Sequence, residues 1–283
     1  MRLAASFAAA ALALSAPAAA QQSAERPPVQ PIRASKIVLV GDSTVAVQGG
    51  WGPSFCARHV TSFLACVNLA RGGRSSYNYR AEGSWDIALA EMRRRPWEQV
   101  YVLIQFGHND QPGKPGRSTE LATEFPANLK RYVAEARAAG AIPVLVTPLT
   151  RRQFKDGTLI RDLEPWAEAT RRVAAETGAP LVDLHARSTA AVQAMGAAAA
   201  TRFAQRPPSP TVWAAAATGT TIDANGGAVP APAAANAAAE PMGQAKLSFD
   251  YTHIGPEGAD FFAGQVVEEL ARAVPALRRN LIP

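Results

Sequence analysis

The feature that most constrains this chain is a succession of short, apolar, β-branched runs separated by helix-length stretches. Ile37 to Val40, Cys66 to Leu69, Val100 to Phe106, Ile142 to Thr147 and Pro180 to Leu184 read as strands buried on both faces. Between them, Pro53–Phe63, Ser84–Arg94, Thr119–Ala139 and Leu163–Glu176 look helical, with Gly140 and Gly178 placed as C-terminal caps. Strands that alternate with helices need crossover connections, so the pattern predicts an α/β fold on a five-stranded parallel sheet. A last helix follows His253, with Pro256 in its first turn and Phe261, Phe262, Val266, Val267 and Leu270 at helical spacing.

The folded domain is expected over residues 36–283. Ahead of it, Met1 to Ala20 joins Arg2 to an Ala/Leu/Phe run with a small-residue ending, the layout of a signal peptide cleaved before Gln21. Residues 21–35 are polar and proline-bearing and read as a linker. The expectation is therefore an exported protein, secreted or periplasmic, and no later run is long enough to span a bilayer. Ala190 to Ala245 is rich in Ala, Pro and Gly and poor in large apolar residues, so it reads as a low-complexity insertion between the last strand and the last helix. Disordered padding is the expectation there, with a mobile flap as the alternative and Trp213 as its one bulky contact candidate.

The chain has two cysteines, Cys56 and Cys66, which are either a disulfide or two small buried hydrophobes. The four histidines (His59, His108, His185 and His253) show no ligand spacing with them, so no structural metal is expected. The net charge of +6 favours acidic partners, although an arginine-rich solvated surface would give the same sum. No zinc-finger, RNP or heptad pattern accompanies the charge, which points to an anionic polysaccharide rather than nucleic acid.

Chemistry concentrates at the strand ends. Gly41-Asp42-Ser43-Thr44 follows the first strand, where open α/β sheets place ligands, although the same tetrapeptide also makes a good turn or helix cap. A serine hydroxyl needs a base to take its proton, and the base needs an acceptor to orient it. Asp250-Tyr251-Thr252-His253 supplies both at a loop–helix junction, with His108 as the strongest competing histidine. Acyl transfer also needs preorganised donors for an oxyanion. The glycine turn in Ala70-Arg71-Gly72-Gly73-Arg74 and the Asn109 amide of Gly107-His108-Asn109-Asp110 are the candidates, each of which is an ordinary turn if taken alone.

In their order and positions, Gly41-Asp42-Ser43-Thr44, Gly72-Gly73, Gly107-His108-Asn109-Asp110 and Asp250-xx-His253 resemble the SGNH (GDSL-type) hydrolases. More narrowly, Gly49-Gly50-Trp51-Gly52, Gly73-Arg74-Ser75, Phe106 to Asp110 and Asp250 to His253 resemble the rhamnogalacturonan acetylesterases. The resemblance implies a three-layer α/β/α sandwich of flavodoxin-like type and removal of acetyl groups from a pectic backbone without metal or cofactor. It makes Ser43 the nucleophile, His253 the base, Asp250 its orienter, and the Ser43 N–H, Gly73 N–H and Asn109 side chain the oxyanion donors. Arg71, Arg74, Arg80, Lys114, Arg117, Arg151, Arg152 and Lys155 all follow strands 2 to 4, where they could hold galacturonate carboxylates. Arg74 and Arg151, with Trp51, are the candidate substrate contacts on a monomer. The alternatives are an esterase acting on xylan or lipid esters, and a noncatalytic polysaccharide-binding protein.

Overall fold

The computed structural model describes residues 28–223 and 247–283, so the expected leader Met1–Ala20 and residues 224–245 of the low-complexity stretch lie outside the described residues. The chain divides into two units, Met1–Ile32 and Arg33–Pro283. Of the first, residues 28–32 are exposed coil.

In chain order the second unit contains β1 (Ser35–Gly41), α1 (Gly52–Arg58), β2 (Leu64–Asn68), α2 (Asn78–Ala81), α3 (Ser84–Arg93), β3 (Val100–Gln105), α4 (Glu124–Ala138) and β4 (Ile142–Val146). It continues with β5 (Phe154–Lys155), β6 (Thr158–Leu159), α5 (Glu164–Thr177), β7 (Leu181–Val182), α6 (Leu184–Met195), α7 (Ala197–Ala200), α8 (Pro210–Ala217) and α9 (Pro256–Ala273). Five strands form one parallel sheet in the order β2-β1-β3-β4-β7, and β5 and β6 form a separate antiparallel hairpin.

The alternation of side chains along β1 explains the layers. Ile37 and Leu39 face a core shared with Phe55 of α1, Val192 of α6 and Phe262, Val266 and Leu270 of α9. Val38 and Val40 face the opposite core, with Trp85 of α3, Phe125 and Tyr132 of α4 and Val173 of α5. Every residue of β1 is buried, which is why no polar alternation interrupts its sequence. Cys56 and Cys66 are joined as a disulfide with Cα atoms 5.4 Å apart, tying α1 to β2.

The low-complexity stretch departs from expectation over its described part. It is helical in α6, α7 and α8, with a 3-10 turn at Thr201–Phe203. Alanine is the best helix former and its small side chain lets helices approach closely, so few bulky anchors are needed. Phe203 supplies one, its ring centroid 4.9 Å from Phe261 and 5.4 Å from Phe262. Val212 and Ala216 are buried, Ser209 caps α8 by accepting from the Val212 N–H, and Thr221 bonds to both the N–H and the carbonyl of Phe154. Trp213 is 54% exposed and takes no part in this anchoring.

Candidate active site

The strand order reverses at β1, which has β2 on one side and β3 on the other, and ligands gather at the carboxyl ends of strands beside such a switch point. Ser43 stands there, two residues past β1. Gly41 is required by close approach: a Cβ on it would lie 2.7 Å from the Gln105 carbonyl and 2.8 Å from Val45 Cγ2. The turn is then locked by Asp42, whose Oδ1 accepts from the Thr44 N–H and hydroxyl, both at 2.8 Å.

The far end of the chain delivers the partner. His253 Nε2 lies 2.9 Å from Ser43 Oγ across 210 positions of sequence, and His253 Nδ1 lies 2.8 Å from Asp250 Oδ2. Asp250 Oδ1 accepts the N–H groups of Thr252 and His253 at 2.7 and 2.6 Å. Burial disfavours the Asp250 carboxylate, but hydrogen bonds and charge from His253, with the two N–H donors, outweigh it and hold its pKa below the ordinary value. The carboxylate is therefore ionised at neutral pH. Gly49 abuts the other side of the imidazole, where an added Cβ would lie 3.3 Å from His253 Cδ2.

The two loops read as oxyanion donors converge on Ser43. A Cβ on Gly72 would lie 3.7 Å from Ser43 Cβ, and Gly73 has φ +74°, a conformation that favours glycine. Asn109 Nδ2 donates to the Arg74 carbonyl at 3.1 Å while its Oδ1 accepts from Arg117 at 3.4 Å, so the amide has a fixed orientation and a second N–H. Asp110 binds the loops to each other by accepting the Ser76 N–H at 3.0 Å and the Ser76 hydroxyl at 2.6 Å. Burial raises the Asp110 pKa to about 7 against the pull of those donors.

Of the three expected substrate contacts, one is buried and two are ion-paired. Trp51 is fully buried, its Nε1 donating to Gln105 Oε1 at 2.9 Å, because the strand-to-helix turn folds it under α1. Arg74 is engaged by Glu82 at 2.8 Å and by the Gly72 carbonyl. Arg151 is engaged by Asp162 and donates to Thr252 Oγ1 at 3.1 Å, so it braces the residue beside His253. Two further cations of the set are similarly committed: Arg80 makes two 2.9 Å bonds to Glu135, and Lys114 donates to the His108 carbonyl. A sequence shows where cations cluster but not which acids fold against them.

The remaining histidines are held internally. His59 Nδ1 meets the Ile282 carbonyl, and His185 Nδ1 meets the Pro148 carbonyl. His108, the competing base, is 3% exposed and faces Asp42 at 3.3 Å, away from solvent. Among the described residues no group of three or more His, Cys, Asp or Glu side chains could hold a metal ion, and no helix is long and apolar enough to cross a membrane. Arg152 went unrecognised in the sequence beyond its charge. It is 1% exposed and donates to carbonyls of the Asp250–His253 loop, partners about a hundred positions away that no local pattern announces.

Comparison with known proteins gives a consistent picture. The model of the GDSL-like Lipase/Acylhydrolase family matches residues 39–205. Two proteins of Bacillus subtilis (strain 168) are similar to this chain. One, named "Probable rhamnogalacturonan acetylesterase YesY", is 37% identical over 164 residues, covering 56% of this chain and 73% of its own. The other, rhamnogalacturonan acetylesterase RhgT, is 35% identical over 169 residues, covering 57% and 69%. Among solved structures, Bacillus subtilis YxiM superposes with a TM-score of 0.59 at 21% identity over 86% of this chain and 58% of its own, so the chain spans under two thirds of that protein. A catalytic mutant of Axe2, an acetylxylan esterase from Geobacillus stearothermophilus, superposes with a TM-score of 0.50 at 15% identity over 85% and 96%. The likeness to the solved structures is one of fold, the three-layer α/β/α sandwich.

Proposed function

The chain belongs to the GDSL-like lipase/acylhydrolase family and is a carboxylic ester hydrolase, and from that premise we propose that it removes O-acetyl groups from a rhamnogalacturonan-type pectic polysaccharide. The observation that carries this reading is the continuous line of hydrogen bonds from Ser43 Oγ through His253 to Asp250. The substrate follows the names of the two curated relatives.

In the proposed mechanism His253 Nε2 takes the Ser43 proton as Oγ bonds to the acetyl carbonyl carbon. The carbonyl oxygen becomes an oxyanion facing the Ser43 N–H, the Gly73 N–H and Asn109 Nδ2, each such donor being worth about 2.7–4 kcal/mol. Collapse breaks the ester bond, and His253 returns its proton to the departing sugar oxygen. Water, deprotonated by the same imidazole, then attacks the acetyl-enzyme, releasing acetate and restoring the Ser43 hydroxyl. Ionised Asp250 accepts a hydrogen bond from the Nδ1–H throughout, without taking the proton, and stabilises the transient imidazolium.

Acetate release from acetylated rhamnogalacturonan, acetylated xylan and long-chain esters tests the reading. Rhamnogalacturonan is expected to be the best substrate, and Ser43→Ala is expected to lower aryl acetate hydrolysis by at least about 10³-fold. Preference for xylan or long acyl chains would replace the substrate. Pectin binding without acetate release from the wild-type protein would replace the enzyme by a binding module.

We further propose that Met1–Ala20 directs export. The Cys56–Cys66 disulfide supports an oxidising compartment. Mature protein collected outside the cytoplasm should begin at Gln21 on N-terminal sequencing, and a retained Met1 would refute the leader.

A further inference from the structure

Arg152 lies in the loop after β4, with its guanidinium in the interior at 1% exposure. Nη2 donates to the carbonyls of Asp250 and His253, both at 2.8 Å, and Nη1 reaches the Thr252 carbonyl at 3.4 Å. Its backbone N–H donates to the Tyr251 carbonyl at 2.9 Å. A single residue therefore receives all four carbonyls of the segment Asp250–His253. The N–H groups of Thr252 and His253 turn the other way, onto Asp250 Oδ1. The loop is gripped from behind by Arg152 and from in front by its own carboxylate.

This arrangement is expensive as packing. Its Nε has no hydrogen-bond partner, and burial lowers its pKa to about 10 although the Asp250 carboxylate favours the charged form. A buried cation whose hydrogen bonds go to carbonyl oxygens is normally poorer for stability than an apolar side chain of similar volume. What the guanidinium alone can do is hold several carbonyl oxygens together, because their dipoles repel one another unless a cation with forked donors sits among them. The oxygens it gathers belong to the segment that aims His253 at Ser43.

We propose that Arg152 is a positioning residue for catalysis: it fixes the Asp250–His253 loop so that His253 Nε2 meets Ser43 Oγ, and it touches no substrate. The proposal rests on the reading of Ser43, His253 and Asp250 as nucleophile, base and orienter. Its consequence is an effect on kcat rather than on KM, since misplacement of a proton-transfer pair by about 1 Å can cost about 10²-fold in rate.

The test uses the full chain with an aryl acetate, comparing wild type, Arg152→Met, Arg152→Lys, His253→Ala, Ser43→Ala and the double variant Arg152→Lys with His253→Ala, each checked for native circular dichroism. Arg152→Met is expected to lower kcat about 10²-fold with KM within about twofold. Arg152→Lys keeps the charge but loses the fork, and should recover part of the rate. In the His253→Ala background the Arg152→Lys change should have no further effect, because both act through the same imidazole. A folded Arg152→Lys or Arg152→Met enzyme with wild-type kcat overturns the proposal, as does an effect of Arg152→Lys that persists undiminished without His253. If Arg152→Met does not fold, the Arg152→Lys pair of measurements decides. Wild-type rates in Ser43→Ala would instead overturn the functional reading itself, whatever the arginine variants do.

Discussion

Asp42 and His108 each stand one position before a proposed site residue, Ser43 and Asn109, and meet beneath the site at 3.3 Å. Burial disfavours the Asp42 anion, yet His108 and the Thr44 donors outweigh it and lower its pKa, while burial lowers that of His108 despite Asp42. The pair therefore rests as a carboxylate beside a neutral imidazole. Asp110, one step beyond Asn109, behaves oppositely. Its folded pKa of about 7 lies above the ordinary value of 3.8, so between those values the native state holds a proton that the unfolded chain has lost. Its contribution to stability is fully present below about pH 4 and is lost as pH rises to about 7, with a limiting slope of about 1.4 kcal/mol per pH unit. Asp42 and His108 act in the reverse direction, losing stability as pH falls, so the wild-type profile mixes the three. Urea unfolding of wild type and Asp110→Asn at matched pH values isolates the term. The stability of wild type relative to the variant should fall from pH 4.5 to 7 and level off above it, and a difference constant across this window would refute the raised pKa.

At the scale of elements, the main-sheet strands were legible because a strand buried on both faces leaves an uninterrupted apolar run, as in Ile37–Val40. Helix boundaries were less so, because the competing bonds are long-range. The expected helix from Thr119 begins only at Glu124, since the Thr119 N–H and hydroxyl are spent on Asp110. The one expected over Pro53–Phe63 stops at Arg58, since Val60 pairs with Leu281 and His59 with Ile282. The hairpin of β5 and β6 has two residues per strand, too few to display alternation. The same division runs through the site. That Ser43, His253 and Asp250 come together could be read from residue type and spacing, because nucleophile, base and orienter are roles few side chains fill. The burial of Trp51 and the ion pairs of Arg74 and Arg151 are not legible in the sequence, because their partners Gln105, Glu82 and Asp162 are known only once the chain is folded.

For the whole molecule, the decisive relation is that the proposed base, His253, lies in the loop entering the last helix while the proposed nucleophile, Ser43, follows the first strand. Phe262, Val266, Val267 and Leu270 of α9 share a core with Ile37 and Leu39 of β1, and the intervening residues Val38 and Val40 belong to the other core. Because β1, β3 and β4 each contribute alternate side chains to both cores, neither core can lose its face of the sheet without exposing the other. Undocking of α9 should therefore coincide with loss of the sheet, and activity should disappear with global structure in one transition. Trp51 reports the first core and Trp85 and Trp166 the second, so tryptophan fluorescence monitors both. In a urea titration, aryl acetate hydrolysis and fluorescence should share a midpoint. Phe262→Ala, which empties a fully buried site on α9, should destabilise by about 3–5 kcal/mol and move both midpoints down by the same amount. Activity lost at lower urea than fluorescence, with the gap widening in Phe262→Ala, would mean that α9 detaches on its own. The line from Ser43 to Asp250 would then depend on a local docking equilibrium. A single shared midpoint in both proteins would instead place the nucleophile and its base in one cooperative unit, despite the 210 positions of sequence between them.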